Sequence, residues 1–142
     1  MPIPPRAQYE ALVYGLLQNY PGQIRASTLR LFSKSALVVK VEGEIEFFNG
    51  LILHVQEYLD FRNACILDYS YTIYRGEEKI RWYDSQPHPE NAELASTFPH
   101  HHHELPQIKD NRHPAPGISF TVPNLPTLIA DCIELGKTLS GD

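Results

Sequence analysis

The spacing of the apolar residues changes three times along the chain. From Ala7 to Tyr20, Leu12, Val13, Leu16 and Leu17 recur at helical spacing and Pro21-Gly22 supplies a stop, so the pattern predicts a helix over 7–20. The period then falls to two. Segments 24–33, 36–41, 44–48, 51–59, 65–75 and 79–84 read as strands, rich in β-branched and aromatic residues and separated by Ser/Lys, Glu-Gly and Gly76 turn chemistry. Cys65, Leu67, Tyr69, Tyr71 and Ile73 alternate along the longest of them. Asn49-Gly50 is the strongest hairpin signal, because a type I′ turn needs positive φ at both central residues, and it should join 44–48 to 51–59. Helical spacing returns at the end, where Leu125, Leu128, Ile129, Cys132, Ile133, Leu135 and Leu139 form a stripe with Pro126 at an early helical position. The expected architecture is α+β: an antiparallel meander of five to six strands over 24–84, with an N-terminal helix and a C-terminal helix (125–139) packed on it. No internal repeat or domain boundary interrupts residues 1–142, so one domain is expected.

Between Asp84 and Asn124 both periods vanish. Residues 85–126 hold eight of the twelve prolines and six of the seven histidines, which reads as a long His/Pro-rich loop before the last helix. Loops of this length inside a compact domain are usually functional or disordered.

Composition narrows the function classes. With 42% hydrophobic and only 20% charged residues, the chain can bury a core, so wholesale disorder is excluded. No apolar run approaches the roughly 18–20 residues of a membrane span, and the first residues lack a signal peptide's apolar core, so a soluble cytoplasmic protein is expected. Two cysteines, Cys65 and Cys132, fall in core-like segments and give neither a disulfide framework nor a zinc knuckle. The net charge of −5 disfavours general affinity for nucleic acid. That charge is unevenly spread: residues 1–41 carry +4 and residues 42–84 carry −5, so any RNA contact would be local.

The densest chemical signal is Thr97-Phe98-Pro99-His100-His101-His102-His103-Glu104. In an extended chain His100 and His102 point one way and His101 and His103 the other, so each pair can aim two imidazoles at one pocket. Imidazole titrates near neutrality and suits acid–base work; it is also a metal ligand, or the segment is simply a solvated histidine loop. Just upstream, Arg81-Trp82-Tyr83-Asp84 runs into Pro87-His88. Arginine, tyrosine, aspartate and histidine together are what metal-independent phosphodiester cleavage needs, although Arg81 and Tyr83 share a strand face and a packing pair explains them equally well. Glu57 could orient Arg81 or a histidine, or form a cross-strand ion pair. Tyr69, Tyr71, Tyr74 and Tyr83 are candidate stacking platforms, though strand aromatics are more often core. Gly-rich phosphate loops, HExxH motifs, nucleophile elbows and clustered carboxylates are absent, which disfavours those hydrolase classes.

In chain order, Glu57-Tyr58, Tyr69-Ser70-Tyr71, Arg81-Trp82-Tyr83-Asp84 with Pro87-His88, and Thr97-Phe98-Pro99-His100-His101 with His103 follow one another. This succession resembles the TumE family of bacterial and archaeal toxin–antitoxin proteins over residues 44–135. The chain departs from the family pattern at Pro89, where a second histidine is typical, and at His102, where a basic residue is usual. The resemblance implies a small toxin encoded beside a helix-turn-helix antitoxin. Joined to the residue chemistry, it gives an RNase reading in which His100 or His101 is the general base, His88 the general acid and Arg81 the phosphate clamp. Glu57 and Tyr83 position these groups, while Tyr58, Tyr71, Asp84 and His103 line the substrate site. That reading needs no cofactor and no metal, involves no membrane, and admits a homodimer through sheet-edge pairing. The alternatives are a non-catalytic protein whose histidine loop holds a metal ion or a partner, and a member kept only as a partner-binding scaffold.

Overall fold

Strand-forming periodicity from Val39 onward produces one continuous antiparallel meander in the computed structural model, which describes residues 2–140. β3 (Val39–Phe47), β4 (Leu51–Asp60), β5 (Cys65–Arg75) and β6 (Glu78–Asp84) pair in chain order, and β1 (Ile24–Ser27) and β2 (Arg30–Ser33) both lie against β3. Two short strands, β7 (His101–Glu104) and β8 (Arg112–Pro114), extend the sheet beyond β6. The order is β1-β3-β4-β5-β6-β7-β8 with β2 sharing β3, eight strands among the described residues where the sequence pattern suggested five to six. β7 and β8 arise inside the His/Pro-rich region because the free edge of β6 pairs with any extended backbone, whatever its side chains. A 3₁₀ helix, Ala92–Thr97, precedes β7.

Glycine explains two further differences from the sequence pattern. Glu42-Gly43 lies inside β3 and makes no turn. The link between β1 and β2 crosses there, and a Cβ on Gly43, at φ +147°, would stand 2.6 Å from the Thr28 carbonyl oxygen. The glycine thus serves backbone approach, a usual reason for one in mid-strand. The Asn49-Gly50 hairpin forms as expected, but through a three-residue link in which Gly50 has positive φ and Asn49 does not. Asn49 is thereby free to donate from Nδ2 to the Cys132 carbonyl oxygen at 3.2 Å.

The N-terminal helix is jointed at Gly15 into α1 (Arg6–Tyr14) and α2 (Leu16–Asn19), with the Gly15 N–H still bonded to the Ala11 carbonyl oxygen. α3 (Leu125–Leu139) closes the chain. Tyr9, Val13 and Leu16 from the N-terminal helices and Leu125, Leu128, Ile129 and Cys132 from α3 pack with Val41, Ile45, Leu53, Leu59, Tyr71 and Ile73 in one core. All three helices therefore cover the same sheet face. On the opposite face, Glu42, Glu44, His54, Gln56, Ser70 and Thr72 line an open groove. Among the described residues, no helix is long and apolar enough to cross a membrane.

Candidate functional site

The register between β6 and β7 sorts the chemistry onto two faces. Arg81 lies opposite Glu104 and Tyr83 opposite His102, while Trp82 lies opposite His103 and Asp84 opposite His101. Tyr83 also pairs with the core residue Tyr71, so the Arg81/Tyr83 set faces the helices. Asp84, His101 and His103 occupy the other face, continuous with the open groove.

That second set is a compact cluster. The Asp84 carboxylate places Oδ1 2.9 Å from His101 Nε2 and Oδ2 3.0 Å from His103 Nε2. His101 Nδ1 lies 3.2 Å from the Pro99 carbonyl oxygen, and His103 Nδ1 2.8 Å from that of Ile108. Trp82 stacks on His103 at 3.8 Å between ring centres and donates from Nε1 to Asp84 Oδ2 at 2.8 Å. His88 meets the edge of His101, with ring centres 5.1 Å apart. His88 also contributes, with Pro89, Asn91, Ala95 and Phe98, to a pocket of about 300 Å³ beside the cluster. The ligand atoms of Asp84, His101 and His103 all lie within 4.8 Å of one another, a donor set able to hold a metal ion.

Burial and hydrogen bonding act in opposite directions here. Burial opposes ionisation of Asp84, but hydrogen bonds from the Trp82 indole and the Gln86 amide, with His101 and His103 alongside, outweigh it and hold the carboxyl below its ordinary value. Burial also dominates at His101 and lowers it, against the Pro99 carbonyl and Asp84.

On the helix side, Arg81 forms an ion pair with Glu104, and Tyr83 donates to Asp131 Oδ2 of α3 at 2.8 Å. Burial works against the Arg81 charge, yet Tyr83 and Glu104 raise its pKa overall. His102, partly buried beside Arg81 and His113, is pushed down to about 3 by that burial first and by the neighbouring charges. These contacts tie β6 and β7 together and to α3.

The remaining sequence candidates are dispersed. Glu57 is fully buried and accepts from Tyr9 and Tyr71, each at 2.5 Å, reaching neither Arg81 nor a histidine. Tyr71 also accepts from Asn124 Nδ2 at 3.0 Å. Tyr58 lies on the open face of β4 under Lys40, and His100 hydrogen-bonds through Nδ1 with the Tyr69 hydroxyl at 2.6 Å on the core side. Of the ten candidates, then, the fold gathers Asp84, His88, His101 and His103. Trp82 and the carbonyls of Pro99 and Ile108 join them without having been singled out. Trp82 was accessible to sequence reasoning, since it stands two residues before Asp84 and so on the same face; the carbonyls carry no side-chain signal.

Fold and cluster define an α+β sheet protein with a carboxylate–imidazole centre at one end of its open face. A family model described as Toxin TumE matches residues 14–135, and the chain belongs to that family of toxins. A toxin family implies a cognate antitoxin in general. No curated protein and no solved structure matches the chain.

Proposed function

We propose that the chain is the toxin of a prokaryotic toxin–antitoxin pair and that it cleaves RNA in the cytoplasm at the Asp84–His88–His101–His103 centre. The observation that carries this reading is the convergence of three imidazoles and a carboxylate where the open sheet face ends. Partly exposed aromatics, Tyr58, Tyr74 and Trp82, lie on that face and offer stacking surfaces for unpaired bases. His88 is the proton-transfer group, because its partly exposed ring borders both the pocket and the cluster. His101 and His103 are positioning residues that hold Asp84 and His88 in place. Attack of a ribose 2′-oxygen on the adjacent phosphorus forms the new P–O bond as the bond to the 5′-oxygen breaks. His88 takes the 2′-hydroxyl proton and delivers it to the departing 5′-oxygen, leaving a 2′,3′-cyclic phosphate and a 5′-hydroxyl. The antitoxin, a helix-turn-helix protein, neutralises the toxin by covering the open face.

End-labelled cellular RNA incubated with the purified protein tests this. His88→Asn is expected to slow cleavage by about 10²–10⁴-fold. Arg81→Ala, on the helix side of the sheet, should retain turnover under conditions where it stays folded. Absence of cleavage by the wild type, or full activity of His88→Asn, would remove the assignment.

A further inference from the structure

The histidine cluster poses a problem of lone pairs. The Nδ1 atoms of His101 and His103 lie within hydrogen-bond distance of the Pro99 and Ile108 carbonyl oxygens. A carbonyl oxygen only accepts, so each Nδ1 carries the proton and each neutral ring presents a lone pair at Nε2. The two lone pairs face each other across 3.2 Å, and the Asp84 carboxylate faces both. Protons resolve this badly. Charging both rings aims two N–H groups at each other between side chains only 1% and 3% exposed, with one carboxylate for two cations. Charging one ring leaves the other's lone pair against a carboxylate oxygen.

A single cation satisfies all three groups at once. We propose that Asp84, His101 and His103 bind a first-row divalent transition metal ion. Ligands about 2.0–2.2 Å from a shared tetrahedral ion stand roughly 3.4 Å apart. The two Nε2 atoms stand 3.2 Å apart, Asp84 meets them with different oxygens at 2.9 and 3.0 Å, and one donor atom from each residue keeps all three within 4.8 Å, so side-chain adjustment alone brings them to this spacing. Two imidazole nitrogens select such an ion over Mg²⁺ or Ca²⁺, which prefer oxygen. Each ligand also has the outer support that metal ligands characteristically show. The carbonyls of Pro99 and Ile108 fix the rings, while the Trp82 indole and the Gln86 amide, at 2.8 and 3.0 Å, fix the carboxylate. Three protein ligands leave a coordination position open. The site goes beyond the RNA reading, since holding the ion requires no RNA.

Trp82, the chain's one tryptophan, stacks on His103 and reports occupancy. Protein stripped with EDTA and titrated with Co²⁺ is expected to show saturable quenching of its fluorescence at one ion per chain, reversed by competing Zn²⁺. Asp84→Asn should weaken binding at least about tenfold and His101→Ala further, with His54→Ala, a half-exposed histidine on β4, unchanged. If His101→Ala fails to fold, the isosteric Asp84→Asn carries the comparison. Lack of saturation at millimolar Co²⁺, or equal affinity in wild type and Asp84→Asn, overturns the site. RNA cleavage scored on the same samples separates the two readings. Metal binding without cleavage keeps the site and removes the RNase, whereas cleavage that persists in EDTA by protein that binds no Co²⁺ does the reverse.

Discussion

Both carboxylate oxygens of Glu57 accept from tyrosines inside the core, and burial, outweighing those two hydrogen bonds, raises its pKa above the ordinary 4.5. A carboxyl shifted in this direction contributes stability that is fully present below its unfolded-state value and is lost as the pH rises through its folded-state value. Comparison with Glu57→Gln isolates that contribution. From neutral pH down towards 4.5, wild type is expected to gain on the variant by up to about 1.4 kcal/mol per pH unit in urea unfolding. A constant difference across that range would mean that Glu57 stays ionised. Glu57→Ala, which strips the Tyr9 and Tyr71 hydroxyls of their acceptor, should cost about 2–4 kcal/mol. The sequence pattern offered Glu57 as a group to orient Arg81 or a histidine, or as half of a cross-strand ion pair, and it is neither. Its partner Tyr9 lies 48 positions away on a helix, a pairing no local pattern reveals.

Strands with apolar alternation were legible, and 65–75 and 79–84 lie almost where the pattern put them. β7 and β8 were not, since His-His-His-Glu and Arg-His-Pro have no apolar face and owe their conformation to the edge they join. Alternation within the histidine run was nevertheless anticipated, and it brings His101 and His103 together. The period of two that puts Arg81 and Tyr83 on one strand face leaves Trp82 and Asp84 on the other, so Arg81-Trp82-Tyr83-Asp84 is divided across the sheet and does not act as one constellation. Gly43 illustrates the same limit. A glycine beside a glutamate reads as a turn until the strand crossing over it is known. Gly43→Ala is expected to lower stability by at least about 2 kcal/mol through strain and collision with the β1–β2 link. Gly50→Ala, at φ +91° in open space, should cost about 1–2 kcal/mol. Equal urea midpoints for the two variants would show that the crossing tolerates a side chain.

At the scale of the whole molecule, the helices and the proposed centre lie on opposite faces of one sheet, so toxicity and stability can be separated by mutation. Induction of the chain without its antitoxin is expected to arrest growth. His88→Asn should relieve the arrest, and Glu57→Gln should not. Arrest by His88→Asn at wild-type strength and equal abundance would place the toxic activity elsewhere. The contacts of α3 bear on when that activity first appears. Asn124, at the start of α3, reaches Tyr71, Asp131 reaches Tyr83 and the Cys132 carbonyl reaches Asn49, so a helix that follows the strands braces β5, β6 and the β3–β4 link. During synthesis, earlier segments leave the ribosome first. The sheet bearing the histidines therefore lacks its last brace until α3 has emerged, so the histidine face is secured only at the end of the chain's synthesis.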